Sequence, residues 1–75
     1  MWILSRDRKR AVNANDLMVT RNFIGGKDEK YAIVATVHGG SEVILATFPD
    51  EKTAVDALER AFSAIDEGVH TYKFD

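Results

Sequence analysis

Apolar residues recur at spacings of three and four over residues 50–67, the clearest periodic pattern in the chain. Such spacing predicts an α-helix with one apolar side. Asp50 suits the N-cap position, and Gly68 suits the left-handed residue that commonly follows a last helical turn. The apolar stripe consists of Ala54, Ala57, Leu58, Ala61, Phe62 and Ile65. Because the stripe has few large side chains, we predict a helix lying close against a sheet, with Phe62 buried between them.

Two strands, at residues 31–37 and 42–48, are predicted on either side of a loop with adjacent glycines. Gly39 and Gly40 suit a two-residue hairpin turn, which needs positive φ at both positions. The pairs that this turn predicts on one side of the sheet are Tyr31 with Phe48, Ile33 with Ala46, and Ala35 with Ile44. Those predicted on the other side are Val34 with Leu45, and Thr36 with Val43. Both sides are therefore apolar, although a half-exposed antiparallel strand usually alternates with polar residues.

Shorter apolar runs predict the remaining strands. Residues 2–4 and 11–12 flank a charged turn, with Trp2 expected in the core, and residues 17–24 form a further strand. After the helix, Tyr72 and Phe74 alternate with polar residues, which indicates a short last strand on a sheet edge of its own chain or of a partner. We predict one α+β domain over residues 1–75, an antiparallel four- to five-stranded meander with one C-terminal helix packed on one face and a short aromatic tail strand.

One helix covers only one face of this sheet. Either the first two strands curl over the second face to make a small roll, or a second subunit covers it. A chain of 75 residues without cysteine has a small core for its surface and no disulfide to supplement it, which favours a homodimer. The candidate interface residues are Val34, Val43, Leu45, Tyr72 and Phe74.

Composition narrows the class of protein. The chain is 45% hydrophobic and 29% charged, as expected for a globular domain. Its first four residues are apolar before Ser5 and Arg6, too few for a signal peptide or a membrane span. A cytoplasmic protein that does not contact membranes is the expectation.

Charge is unevenly distributed although the net value is only −2. Residues 1–30 carry seven Lys/Arg and four Asp/Glu, which leaves +3, whereas residues 31–75 carry three and eight, which leaves −5. The candidate contacts for an anion or a nucleic acid are Arg6, Arg8, Lys9 and Arg10. A nucleic-acid-binding accessory protein that uses this basic N-terminal hairpin is therefore the alternative function.

Residues for catalysis or metal binding are not recognisable. The serines occupy no nucleophile motif, and His38, on an exposed turn beside Ser41, lacks a setting that excludes water. His70 lies far along the chain from His38, and neither glycine pair has the spacing of a phosphate-binding loop. No catalytic, cofactor-binding or metal-binding residue is predicted, and the chain is expected not to be an enzyme.

A resemblance covers nearly the whole chain. The residues that carry it are Trp2, Ile3, Ser5, Val12, Asn13, Tyr31, Ile33, Val34, Ala35, Phe48, Ala54, Leu58, Gly68 and Tyr72. Their order resembles small uncharacterised proteins of Gram-positive bacteria and of their prophages and mobile elements. The resemblance implies a phage or mobile-element context and no established activity. We therefore predict a small non-enzymatic interaction protein that self-associates, with a host or phage protein as a further partner.

Overall fold

Six strands and one helix follow one another along residues 1–74, the part of the chain that the computed structural model describes. They are β1 (Trp2–Leu4), β2 (Ala11–Asn13), β3 (Asp16–Arg21), β4 (Tyr31–Thr36), β5 (Glu42–Phe48), α1 (Glu51–Asp66) and β6 (Thr71–Lys73). The central sheet has the order β3-β4-β5, and the terminal sheet has the order β2-β1-β6. The α+β class is confirmed, but the strands number six, in two sheets, rather than four or five in one meander.

The helix α1 begins and ends where the sequence predicts. Asp50 Oδ1 accepts hydrogen bonds from the amide and from the hydroxyl of Thr53, both at 2.8 Å. These bonds, the amide's first, hold the pKa of the Asp50 carboxyl below its ordinary value of 3.8. At the other end, Gly68 adopts a φ of 91°, which costs glycine little. Both predicted caps are confirmed.

The helix contacts the central sheet through its smallest side chains. Ala54, Ala57 and Ala61 are buried, as predicted. Phe62 is 65% exposed, so the prediction that it anchors the helix in the core is wrong. Alanines let the helix backbone approach the sheet closely, and the line of closest contact follows them. The larger side chain of Phe62 is left on the flank of the helix.

The terminal sheet joins the two ends of the described chain. β1 pairs antiparallel with β2 and parallel with β6, where Ile3 lies opposite Tyr72. Phe74 is buried, and its amide donates to the Leu4 carbonyl at 3.2 Å. The tail strand therefore pairs with an edge of its own chain. Trp2, predicted in the core, lies on the outward side of β1 and is 55% exposed.

The hairpin loop after β4 encloses three residues between Val37 and Ser41, one more than predicted. The Val37 amide donates to the Ser41 carbonyl at 2.9 Å, and the Gly40 amide donates to the Val37 carbonyl at 3.0 Å. Gly39 and Gly40 both have positive φ, so the predicted need for glycine at these positions is confirmed. The extra loop residue shifts the pairing next to the loop by one position.

A β-bulge on β5 then restores the predicted pairing. The pairs from the open end toward the loop are Tyr31 with Phe48, Ala32 with Thr47, Ile33 with Ala46, Val34 with Ile44, Ala35 with Val43, and Thr36 with Glu42. Leu45 is the additional residue and turns inward, where it is 2% exposed. The prediction that Val43 and Leu45 share the outer face with Val34 is therefore wrong: Leu45 belongs to the core and Val43 packs against it.

One core joins both sheets and the helix. Its members are Ile3, Val12, Ile33, Ala35, Leu45, Ala46, Phe48, Ala54, Ala57, Ala61 and Phe74. β1 and β2 thus contribute Ile3 and Val12 to the same core as the helix, instead of covering the opposite face of the central sheet. The Arg6 amide donates to the Leu45 carbonyl at 2.8 Å, which links the bulge to the turn after β1.

β3 ends three residues earlier than predicted. The Asn22 amide donates to the Lys30 carbonyl at 2.7 Å, and Asn22 Nδ2 donates to the Glu29 carbonyl at 2.8 Å, so the chain turns at Asn22. A Cβ at Gly25 would lie 2.6 Å from side-chain atoms of both Asn22 and Glu29, and this turn therefore requires glycine. Phe23 and Ile24 consequently lie in a loop rather than in the strand.

Candidate interaction surfaces

An apolar stripe crosses the outer face of the central sheet, the face opposite the core. Met18 and Ile44 both pair with Val34, and paired residues in a sheet share a face. Val34 on the central strand is buried between them, whereas Ile44 is 50% exposed and Met18 is exposed as well. Ile24 lines a shallow depression together with Ile44. We call Met18, Ile24, Val34 and Ile44 the outer patch.

The loop that carries Ile24 is fixed beside this patch. Thr47 Oγ1 donates to Glu29 Oε2 at 3.3 Å, which ties the loop to β5. Phe23 and Ile24 are 86% and 92% exposed. The Arg21 guanidinium lies 5.6 Å from the centre of the Phe23 ring, within the range of a cation–π contact. The loop therefore presents two adjacent apolar side chains in a defined position.

Of the five predicted interface residues, the structure leaves only Val34 in the outer patch. Val43 and Leu45 are used by the core, for the reason of register given above. Phe74 belongs to the core, and Tyr72 packs against it. The rings of Tyr72 and Phe74 form an edge-to-face pair with centres 5.2 Å apart. The two aromatic side chains of the tail thus make their packing contacts within one chain.

The four predicted basic residues all lie on the turn between β1 and β2, which is built around Asp7. Its Oδ1 accepts from the Ser5 hydroxyl at 2.6 Å and from the Lys9 amide at 2.9 Å. These two bonds, the hydroxyl's first, hold the pKa of the Asp7 carboxyl below its ordinary value of 3.8. Arg8 adopts a φ of 65°, which the turn imposes on it. Arg8, Lys9 and Arg10 are exposed.

Arg6 differs from the other basic residues because it is committed to β5. Its Nη1 donates to the Thr47 carbonyl at 2.6 Å, and its guanidinium lies 4.3 Å from the centre of the Phe48 ring. The role of Arg6 in the described chain is therefore to dock the turn on the central sheet. This structural role separates Arg6 from the predicted anion contacts.

A groove of about 550 Å³ lies between α1 and the start of β3. The apolar residues that line it are Met1, Ile3, Leu17, Leu58, Phe62 and Ile65. Asp16 and Glu59 also line it, whereas no Lys or Arg side chain does so within residues 1–74. The sequence predicts a buried Phe62 and therefore no groove at this place. The signal that indicates the groove is the angle of Phe62 around the helix axis, which differs from that of the three buried alanines.

Residues 1–74 contain no group of three or more His, Cys, Asp or Glu side chains positioned to hold a metal ion. No helix among them is both long and apolar enough to cross a membrane. The Ser5 hydroxyl is buried and donates to Asp7, so it is held as a turn-forming group.

Comparison with known proteins found no matching family model, no matching curated protein and no matching solved structure. The two apolar surfaces and the basic turn are therefore the features of this chain that bear on its function.

Proposed function

We propose that the chain is a cytoplasmic, non-enzymatic interaction protein of phage or mobile-element type that acts as a homodimer. The observation that carries the proposal is the exposure of the outer patch. Met18 and Ile44 are exposed on a sheet face, and Ile24 continues the apolar surface onto the neighbouring loop. Several exposed apolar side chains close together on one face mark an interaction site in soluble proteins.

A second copy is the partner that this patch suits best. A two-fold axis places the same surface on both subunits, so Ile44 and Met18 of each chain meet the corresponding residues of the other. The patch is apolar across the three strands of the central sheet, and self-pairing requires no charge complementarity there. The small core of the chain gains stability from the additional buried area.

Charge introduced into the outer patch is expected to produce a monomer. The variant Met18→Lys with Ile44→Lys places two like charges from each subunit at the proposed contact, and their burial without partners opposes association. Light scattering coupled to size exclusion is expected to give twice 8.4 kDa for the unaltered chain and 8.4 kDa for the variant. The matched control, Ser41→Lys with Ser63→Lys, adds the same charge at exposed positions outside the patch and keeps the dimer mass. An unaltered chain of 8.4 kDa at about 50 µM contradicts the proposal.

Nucleic-acid binding is the second candidate function, and the exposure of Trp2 favours it. Trp2 and Leu4 lie on the outward side of the terminal sheet, and Lys73 pairs with Leu4 on the same side. Beyond Leu4 the chain enters the turn that exposes Arg8 and its basic neighbours. An exposed aromatic ring beside a basic cluster is the arrangement that stacks bases and holds phosphates of a single strand.

Trp2 is the only tryptophan, so its fluorescence reports directly on this candidate. If the chain binds nucleic acid, a single-stranded oligonucleotide of 12 nucleotides quenches the Trp2 emission at low salt, and the quenching weakens as the salt concentration increases. The triple variant Arg8→Ala, Lys9→Ala and Arg10→Ala is expected to lose the quenching while it keeps the circular dichroism spectrum of the unaltered chain. Absence of quenching at about 20 mM salt, where electrostatic attraction is strongest, excludes this second function.

A further inference from the structure

We propose that the groove between α1 and the start of β3 binds an amphipathic helix of a partner protein that carries Lys or Arg beside its apolar face. The site is distinct from the outer patch and from the basic turn. It extends the proposed function by assigning a second surface to the interaction protein, with a partner of defined chemistry.

Phe62 and Ile65 give the groove apolar surface that the chain itself leaves exposed. Leu58, Phe62 and Ile65 follow the spacing of one helix flank, and Phe62 and Ile65 are exposed. Leu17 from β3 and the buried Ile3 from β1 also line the groove. An exposed helix flank that faces apolar strand residues is the surface on which an amphipathic helix lays its apolar side.

The length of the wall indicates the size of the partner segment. Ile65 follows Leu58 by seven positions, roughly 10 Å along the helix axis at 1.5 Å per residue. A partner helix covers this length with about two turns, which supplies apolar anchors at three or four positions spaced i, i+3, i+4 and i+7. The contact is smaller than a standard interface of roughly 800 Å² per partner, so we expect affinity in the micromolar range.

Charge at the groove selects the partner. Asp16 at the start of β3 and Glu59 on α1 both line it, so each of the two elements that form the groove contributes an acidic residue. Asp66 is exposed two helical turns after Glu59 and extends the acidic side of the helix. Among the lining residues the cation is the Met1 ammonium, which donates to Asn13 Oδ1 at 3.0 Å, and no Lys or Arg side chain within residues 1–74 joins it, so the two acidic residues leave the lining net negative. A segment with Lys or Arg on both sides of its apolar face complements this pattern, whereas an acidic segment is repelled.

The partner's identity is open, so the test uses a defined probe. The probe is a fluorescently labelled 14-residue peptide of Leu, Ala and Lys with Leu at i, i+3, i+4 and i+7, and the matched control peptide has Glu in place of every Lys. The protein is the Met18→Lys, Ile44→Lys variant, in which the outer patch is blocked, so failure of the homodimer proposal and failure of this one are read separately. Anisotropy measures affinity, and amide chemical shifts locate the contact.

We expect the Lys peptide to bind with a dissociation constant of roughly 10–100 µM and to shift the amides around Leu58, Phe62 and Leu17. Phe62→Ala is expected to weaken binding at least tenfold, since it removes the most exposed wall of the groove. Asp16→Asn with Glu59→Gln is expected to weaken binding at low salt and to reduce its dependence on salt.

Three results overturn the proposal. The Lys peptide fails to bind at about 1 mM, the Glu peptide binds equally well, or Phe62→Ala leaves the affinity unchanged. A fourth result assigns the groove to a different occupant: if the peptide-free protein associates and Phe62→Ala makes it monomeric, a second copy of the chain fills the groove and the proposed partner is wrong.

Discussion

Replacing Leu45 with Ala is expected to lower the free energy of unfolding by about 2–5 kcal/mol, the range for loss of a buried leucine. Leu45 lies at the bulge of β5, fully inside the core that both sheets and the helix share. The adjacent residue, Ile44, lies on the outer face. Ile44→Ala is expected to cost less than about 1 kcal/mol, because Ile44 is already 50% exposed.

The comparison between these neighbours tests the register directly. With a two-residue turn, Ile44 faces the core and Leu45 the outer face, so the costs of the two substitutions are reversed. Urea unfolding of both variants, with the slopes compared as well as the midpoints, gives the two values. The curves are recorded at low micromolar protein concentration, where loss of a dimer contact does not add to the cost at Ile44. Equal costs, or a larger one at Ile44, contradict the bulge.

The helix shows which part of the fold local sequence determines. Its ends follow from two residues, Asp50 and Gly68, whose preferences act within one turn of the chain. Its orientation does not follow from periodicity alone, because the apolar stripe is wide enough to face the sheet at more than one angle. Packing distance decides between those angles, and the alanines allow the closest approach. Phe62 is excluded from the core for this reason.

In the hairpin of β4 and β5, too, local sequence determines some features and distant contacts determine others. Two adjacent glycines predict a tight loop with positive φ, and both have it. They do not determine whether the loop has two or three residues. The pairing is completed by a contact from elsewhere in the chain, since the Arg6 amide bonds to the carbonyl of the bulge residue Leu45. A contact between residues 39 positions apart leaves no signal in the sequence around the loop.

The candidate surfaces were predictable to a smaller extent than the fold. The sequence predicts Val34 on the sheet face that the helix does not cover. That Met18 and Ile44 lie beside it there depends on the register of three strands. The loop residues Phe23 and Ile24 follow Asn22 and precede two glycines, a setting that favours a turn over the continued strand. Their β-forming character predicts a continued strand, whereas the turn signal at Asn22 and the glycines determines the exposed loop.

The second large effect is expected at the tail. Phe74→Ala should lower the free energy of unfolding by about 3–5 kcal/mol, the usual cost of truncating a buried phenylalanine. Phe74 is 5% exposed, its ring packs edge-to-face on Tyr72, and its amide extends the pairing with β1. Phe62→Ala removes the same atoms from an exposed position and is the matched control, with an expected cost below about 1 kcal/mol.

Protein concentration distinguishes the role of Phe74 in this fold from the role that its sequence pattern predicts at an interface. Substitution of a core residue destabilises each chain by the same amount at every protein concentration, because the lost contacts are within one molecule. Substitution of an interface residue destabilises the protein only where the dimer is populated, so the loss in free energy of unfolding increases with protein concentration. Denaturant unfolding of Phe74→Ala at about 2 µM and about 200 µM is therefore expected to give equal losses relative to the unaltered chain at each concentration. A loss confined to the higher concentration means that the tail strand pairs between chains, and that the parallel pairing of β6 with β1 is not the arrangement in solution.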